Sequence, residues 1–349
     1  MEKNRCDRLA FLEMLGNLKP GLASAEIVAE TDRFIFMDKD VGTYNESLCV
    51  TTPFSAGFVG SVKAKVLYDM ISKMSGSELQ IQKKKSQLLV SDGGTNFGLS
   101  CISDSFLFDI IKKLNLRKIS WSALPNDEFT RGLSLCCFAA GDYGSLSGVF
   151  VKDNLMMSSD NNRGCIFECS GVSFPAFLLP VSSANALINY APTEYCMSSD
   201  DNWIHFRNKN GIIFSSRLLS ASEWLDRSFA DNFPDVGKKK PIVMPKGELQ
   251  SAIGRAGVLL SEETDPINRF VELTFSKDGI RCSIKKSDSW FDELIPFDGW
   301  KKKGSLSIHI RLLFLHEILD RSTDMYIISD RLVLFVSDNF KHIIALEAV

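Results

Sequence analysis

One order of elements recurs along this 349-residue chain: helix, hairpin strands, helix, hairpin strands, three times over, about 110 residues apart. A repeat on this scale constrains the fold more than any single motif. Each copy has to bury one face of its helices on antiparallel sheets and leaves the other face of each helix free. The expected class is therefore α+β, three tandem copies of one domain in which two helices pack on antiparallel sheets. The copies share little identity; they share periodicities and turn signals.

In the first copy Leu9, Phe11, Leu12, Leu15 and Leu18 form an apolar stripe at helical spacing, ended by Pro20-Gly21. Strands are expected at 25–29, 33–37, 47–52 and 56–60, then a helix through Val62, Val66, Leu67, Met70 and Ile71. Strands at 78–82 and 87–90 flank Lys83-Lys84-Lys85, and the turn Asp92-Gly93-Gly94-Thr95 leads into 97–102. The second copy reads as a helix from Asp127 to Gly141, strands at 148–151, 155–158 and 163–169, and a helix at 182–190 between Pro180 and Pro192. Strands at 195–197, 203–206 and 212–216, with a turn at 199–202, close it. In the third, helices at 246–260 and 311–319 alternate with strands at 242–244, 270–275, 280–285, 306–308, 325–328, 332–336 and 342–346. The connectors 104–122 and 221–240 read as linkers, the second both polar and aromatic-containing. Domain boundaries follow at 1–115, 116–228 and 229–349.

A net charge of −3 speaks against a protein that coats nucleic acid by bulk charge. Any DNA contact has to come from local patches or from topology. Nine cysteines, an odd number without C-x-x-C, read as reduced thiols serving as small core residues in the cytoplasm. The opening Met1-Glu2-Lys3-Asn4-Arg5 leads into an amphipathic stretch, not a signal peptide, and no apolar run suggests a membrane span. Chemical motifs are scarce. His316 and Asp320 make half of a zinc pattern without a third ligand, and the glycines at 93–94 precede no helix that could cradle a phosphate. No catalytic residue, metal or cofactor is expected.

The segment 155–169 reads Leu-Met-Met-Ser-Ser-Asp-Asn-Asn-Arg-Gly-Cys-Ile-Phe-Glu-Cys. It resembles the middle domain of the bacterial DNA polymerase III beta sliding clamps, where a strand runs into Thr-Asp-Gly-x-Arg-Leu; Ser159, Asp160 and Arg163 fall on that motif. Asn232-Phe233-Pro234-Asp235 resembles the family's Phe-Pro-Asp connector. Lys238-Lys239-Lys240 and Met244-Pro245 then lead into a helix, and Lys341-His342-Ile343-Ile344-Ala345-Leu346 matches the family's final strand. The resemblance spans the whole chain, and its divergence suggests a phage-encoded or fast-evolving member.

What the resemblance implies is three DNA-clamp domains forming half of a six-domain ring. Such a homodimer encircles double-stranded DNA without sequence preference and tethers a DNA polymerase as a processivity factor. Another DNA-tracking partner, such as phage late transcription, is the alternative. The helices that would line the hole carry a small positive excess; the cations expected to face DNA are Arg8, Lys63, Lys65, Lys73, Arg131, Lys246, Arg255 and Arg311. Polymerase and clamp loader would dock short linear peptides in a pocket formed by Leu155, Ser159, Asp160, Asn161, Asn162, Arg163, Gly164, Phe233, Pro234, Ile343, Ile344 and Ala345. Gly164 departs from the family's leucine and removes apolar lining.

Overall fold

The structure, a computed structural model, describes residues 4–24, 28–114, 119–198, 200, 202–225, 229–263 and 269–347. Its helices are α1 (Arg8–Leu18), α2 (Ala64–Ser72), α3 (Leu107–Lys113), α4 (Asn126–Cys137), α5 (Val181–Ile188), α6 (Ser222–Leu225), α7 (Lys246–Leu259) and α8 (Leu312–Leu319). One order runs three times, over 4–100, 122–217 and 242–345: strand, helix, four strands, helix, three strands. By compactness the chain forms two units, Met1–Thr130 with Ser182–Leu219, and Arg131–Val181 with Ser220–Val349, so the second pass is shared between them.

The first unit holds an eight-stranded antiparallel sheet in the order Gly60–Lys63, Arg33–Phe36, Asp40–Tyr44, Leu48–Pro53, Ile213–Arg217, Trp203–Arg207, Glu194–Met197, Ser122–Ala123. Phe34, Ile35 and Phe36 are all buried, which in a strand of period two requires cover on both faces. Leu107, Phe108 and Ile111 of α3 supply one cover by packing on Ile35 and Cys49. α2 packs on Arg33–Phe36, and α1 on Leu48–Pro53 and on α2. α1 starts where the Asp7 carboxylate accepts the Ala10 N–H at 2.8 Å and stops at the tight turn Lys19–Gly21. A separate four-stranded sheet runs Asn4–Asp7, Glu78–Lys84, Gln87–Ser91, Asn96–Ser100.

The second unit repeats this division. Its eight-stranded sheet runs Phe174–Pro180, Gly148–Asp153, Leu155–Ser159, Arg163–Glu168, Phe340–Ala345, Leu332–Ser337, Asp324–Ser329, Ile242–Val243; its four-stranded sheet runs Trp290–Ile295, Gly279–Lys285, Phe270–Ser276, Leu306–Arg311. α7 buries Leu249, Ala252, Ile253 and Ala256, and α8 buries Phe314, Leu315, Ile318 and Leu319. α4 lies so close to the sheet that a Cβ on Gly132 would sit 2.6 Å from the Met156 sulfur and 2.7 Å from the Phe167 ring. Glycine is required there for approach, not for backbone freedom.

Several expectations need correction. Val62 and Arg311 lie in strands that precede their helices, and the stretch expected as strand 56–60 is loop up to Gly60. Leu9, Val66 and Met70 turn to solvent instead of joining their stripes. Both connectors carry structure: α3 in the first, α6 and the short turn Phe229–Asn232 in the second. Strands Asp40–Tyr44, Phe174–Pro180 and Trp290–Ile295 were not legible. Phe174–Pro180 contains two prolines, which a strand tolerates only because this one lies at a sheet edge. Residues 25–27 of one expected strand, and 199 and 201 of one expected turn, lie outside the described residues. All nine cysteines are unbonded thiols, and no helix among the described residues is long and apolar enough to cross a membrane.

His205 is a buried histidine on Trp203–Arg207. Its Nδ1 lies 2.9 Å from Ser215 Oγ, its Nε2 has no partner, and burial lowers its pKa to about 4. Between pH 6.5 and 4 the unfolded chain binds a proton that the folded chain refuses, so the first unit loses stability as pH falls through that window. Amide exchange in Trp203–Arg207 at pH 7 and pH 5, corrected for intrinsic rates, is expected to show a loss approaching ~1.4 kcal/mol per pH unit. His205→Gln should flatten that dependence.

Candidate functional site

The loop joining Leu155–Ser159 to Arg163–Glu168 is held by its own polar side chains. One Asp160 carboxylate oxygen accepts the N–H groups of Asn162 and Arg163, each at 2.9 Å; Ser159 Oγ donates to the Arg163 carbonyl at 2.8 Å and accepts the Asn161 N–H at 3.2 Å. Asn161 has φ +72°, a left-handed conformation that asparagine tolerates better than most residues, and it stands where the resembled motif has glycine. The loop therefore keeps the turn of that motif with a different residue.

Arg163 faces inward. Its Nε lies 3.0 Å from Asp160, its Nη1 bonds Glu317 of α8, and its guanidinium lies over Phe314 at 4.2 Å. Only 7% of its side chain is exposed. Next to it, Gly164 pairs with Ile343 and Arg163 with Ile344 across the ladder, while the Ala345 N–H donates to the Asn162 carbonyl at 2.8 Å. Because strand side chains alternate, Ile343 and Ala345 reach the surface beside the loop and Ile344 is fully buried.

These elements frame a cavity of about 410 Å³ lined by Ser145, Leu146, Ser159, Asn161, Asn162, Arg163, Glu223, Trp224, Phe229, Asn232, Leu332, Ile343 and Ala345. Trp224 stacks on Phe150 at 5.5 Å, and its indole N–H donates to the Ser145 carbonyl at 2.8 Å. Phe229 stands edge-on to Trp224 at 5.0 Å and to Phe233 at 5.4 Å.

Of the twelve residues expected in the pocket, Ser159, Asn161, Asn162, Arg163, Ile343 and Ala345 line it. Asp160 shapes the loop from behind. Leu155 does not line it, being at the far end of its strand opposite Lys152 and Glu168; neither do Ile344, Phe233 and Pro234. Phe233 is nearly buried behind Phe229, which takes the place expected for it. Gly164 is also outside the lining, for the same reason: a Cβ there would lie 2.7 Å from the Phe229 ring. Trp224, Phe229 and Leu332 escaped sequence reasoning; the aromatic content of the 221–240 connector was the available signal.

The eight cations expected to face DNA are mostly engaged. Lys63 pairs with Asp32 at 3.1 Å, Arg131 with Asp338 at 3.0 Å, Lys246 with Asp320 at 3.0 Å, and Arg255 grips Glu293 through two bonds of 2.8 and 2.5 Å. Arg8 donates to the Gly76 carbonyl at 2.8 Å. Arg311 is a correction: it is buried against Phe270 and Phe314 with Glu347 at 3.1 Å, so it offers no charge to a solvent-borne partner. Lys65 and Lys73 are exposed with no carboxylate partner among the described residues. Of the half zinc pattern, Asp320 is engaged: bonds from Gln250 and Lys246 hold it below the usual carboxylate range.

No family model and no curated protein matches the sequence. Solved structures do. The DNA polymerase III beta chain of Streptococcus pneumoniae superposes with a TM-score of 0.83 at 18% identity, covering 100% of both chains. The beta subunit from Thermotoga maritima gives 0.79 at 16%, covering 99% of each chain. The sliding clamp from Bartonella birtlesii, solved bound to griselimycin, gives 0.79 at 16%, covering 99% of this chain and 100% of that one. The chain has the fold of the DNA polymerase III beta sliding clamps, over its full length.

Replacing Gly164 by leucine should drive a side chain into Phe229 and destabilise the second unit by about 1–3 kcal/mol, read from urea unfolding. Adding Phe229→Ala to Gly164→Leu should recover part of that loss, a coupling that a double-mutant cycle measures directly.

Proposed function

We propose that this protein is a sliding clamp: two copies close head to tail into a ring around duplex DNA and tether a DNA polymerase, with no chemistry of their own. One observation carries the reading, the rule by which its sheets are joined. The four-strand set of the first pass is extended by the three-strand set of the second, through Leu48–Pro53 against Ile213–Arg217. The second is extended by the third in the same way, through Arg163–Glu168 against Phe340–Ala345. Continuing the rule, Trp290–Ile295 of the third pass should receive Asn96–Ser100 of a first pass. Both strands are free edges of four-stranded sheets.

An unpaired edge flanked by apolar side chains is a template for another strand. Trp290 is 74% exposed on its strand, and Val258, near the end of α7, equally so. A head-to-tail contact that closes after two copies gives six passes and leaves neither of these two strands unpaired. The weakly basic helix faces suit such a ring. Held by topology, it needs only mobile, salt-sensitive attraction to phosphates, and tight contacts would brake sliding. The pocket beside Arg163 would receive peptide segments of the polymerase and the clamp loader.

Light scattering at micromolar concentration is expected to return twice the chain mass, and Trp290→Ala with Leu294→Asp to return the monomer, a loss of at least ~100-fold in self-affinity. After loading, the protein should stay on circular DNA and run off the linearised form. Equal loss from both would sink the topological mechanism.

A further inference from the structure

Among the described residues, four side chains set the charge of the pocket. In the lining, Arg163 is the only cation among the described residues, and Asp160 and Glu317 already match its guanidinium twice. Phe314 and Phe138, at 4.2 and 5.3 Å, lie against that guanidinium. It has little left to offer an incoming carboxylate. Nearby Arg321 lies over Phe138 at 3.9 Å, donates to the Glu317 carbonyl and is not part of the lining. Glu223 is the only carboxylate in the lining among the described residues; it is exposed at the rim and bonded by Ser145 Oγ. One enclosed guanidinium thus stands against three carboxylates.

The rest of the lining is apolar or neutral. Trp224, Phe229, Leu332 and Ile343 present aromatic and aliphatic surface, and a cavity of this size admits about two large side chains. We propose that the pocket selects a short peptide in which an apolar anchor is flanked by lysine or arginine, and rejects the same anchor flanked by aspartate or glutamate. The inference rests on reading this cavity as a peptide site. The anchor supplies affinity by filling the cavity; the flanking cation meets Glu223 at the rim, where an anion would be repelled.

Three labelled peptides sharing a Leu-Leu-Phe core, flanked by Lys-Arg, Ser-Ser or Asp-Glu, test it by fluorescence anisotropy against the full chain. The cationic peptide should bind about tenfold more tightly than the acidic one at low salt, the gap shrinking as salt screens the rim. Glu223→Gln should narrow the gap about threefold. Glu223→Lys should reverse the order. Ile343→Glu, which places a charge on the apolar floor, should abolish binding of all three. If all three peptides bind equally and Ile343→Glu still abolishes binding, the charge selection is overturned while the pocket stands. If none binds, or Ile343→Glu changes nothing, the reading of the cavity as a peptide site fails and takes the selection with it.

Discussion

The antiparallel pairing of Arg163–Glu168 with Phe340–Ala345 is the contact on which the rest of the second unit depends. Backbone groups in a buried ladder have to find partners, and these two strands satisfy each other across segments more than 170 residues apart. Four strands from one pass and four from the next thereby become one sheet. The register also decides what the surface offers. With Gly164 opposite Ile343, the side chains of Ile343 and Ala345 emerge beside the 159–163 loop, and a slip of one residue would present Ile344 instead. The pocket is therefore a by-product of the joint that holds the sheet together.

Charge is handled in two different ways. Inside, Arg163 is enclosed by carboxylates and rings, so the pocket loop is tied to α8 and the guanidinium is structural as much as receptive. On the helix surfaces, Arg131, Lys246 and Arg255 are paired with neighbouring carboxylates. A protein that gripped phosphates would leave those cations free. Exposed apolar side chains Leu9, Val66 and Val258 share the helix surfaces with them.

Much of the fold was legible because helices and hairpins announce themselves locally. The stripe Phe11, Leu15, Leu18 and the turn at Lys277-Asp278-Gly279 need nothing beyond nearest neighbours. What stayed hidden depended on distant context. Phe174–Pro180 is a strand despite its prolines because it lies at the edge of its sheet. α3 exists as cover for Ile35 and Cys49, and seven residues in a connector give no sign of that duty. In the pocket, the motif Ser159–Asp160–Arg163 was readable as a turn, whereas the burial of Arg163 and the places of Trp224 and Phe229 had no motif to mark them.

By itself the sequence determined the repeat, most of the helix and hairpin content of each copy, and the loop that frames the pocket, because periodicity, caps and turn residues act over a few positions. Only the tertiary structure decided which strands join across copies, which edges stay open, that Phe229 replaces both Phe233 and a side chain at 164, and that Arg311 is buried. Those outcomes are set by packing between segments far apart in the chain, where a single ring or a single ladder register settles the position of every neighbour.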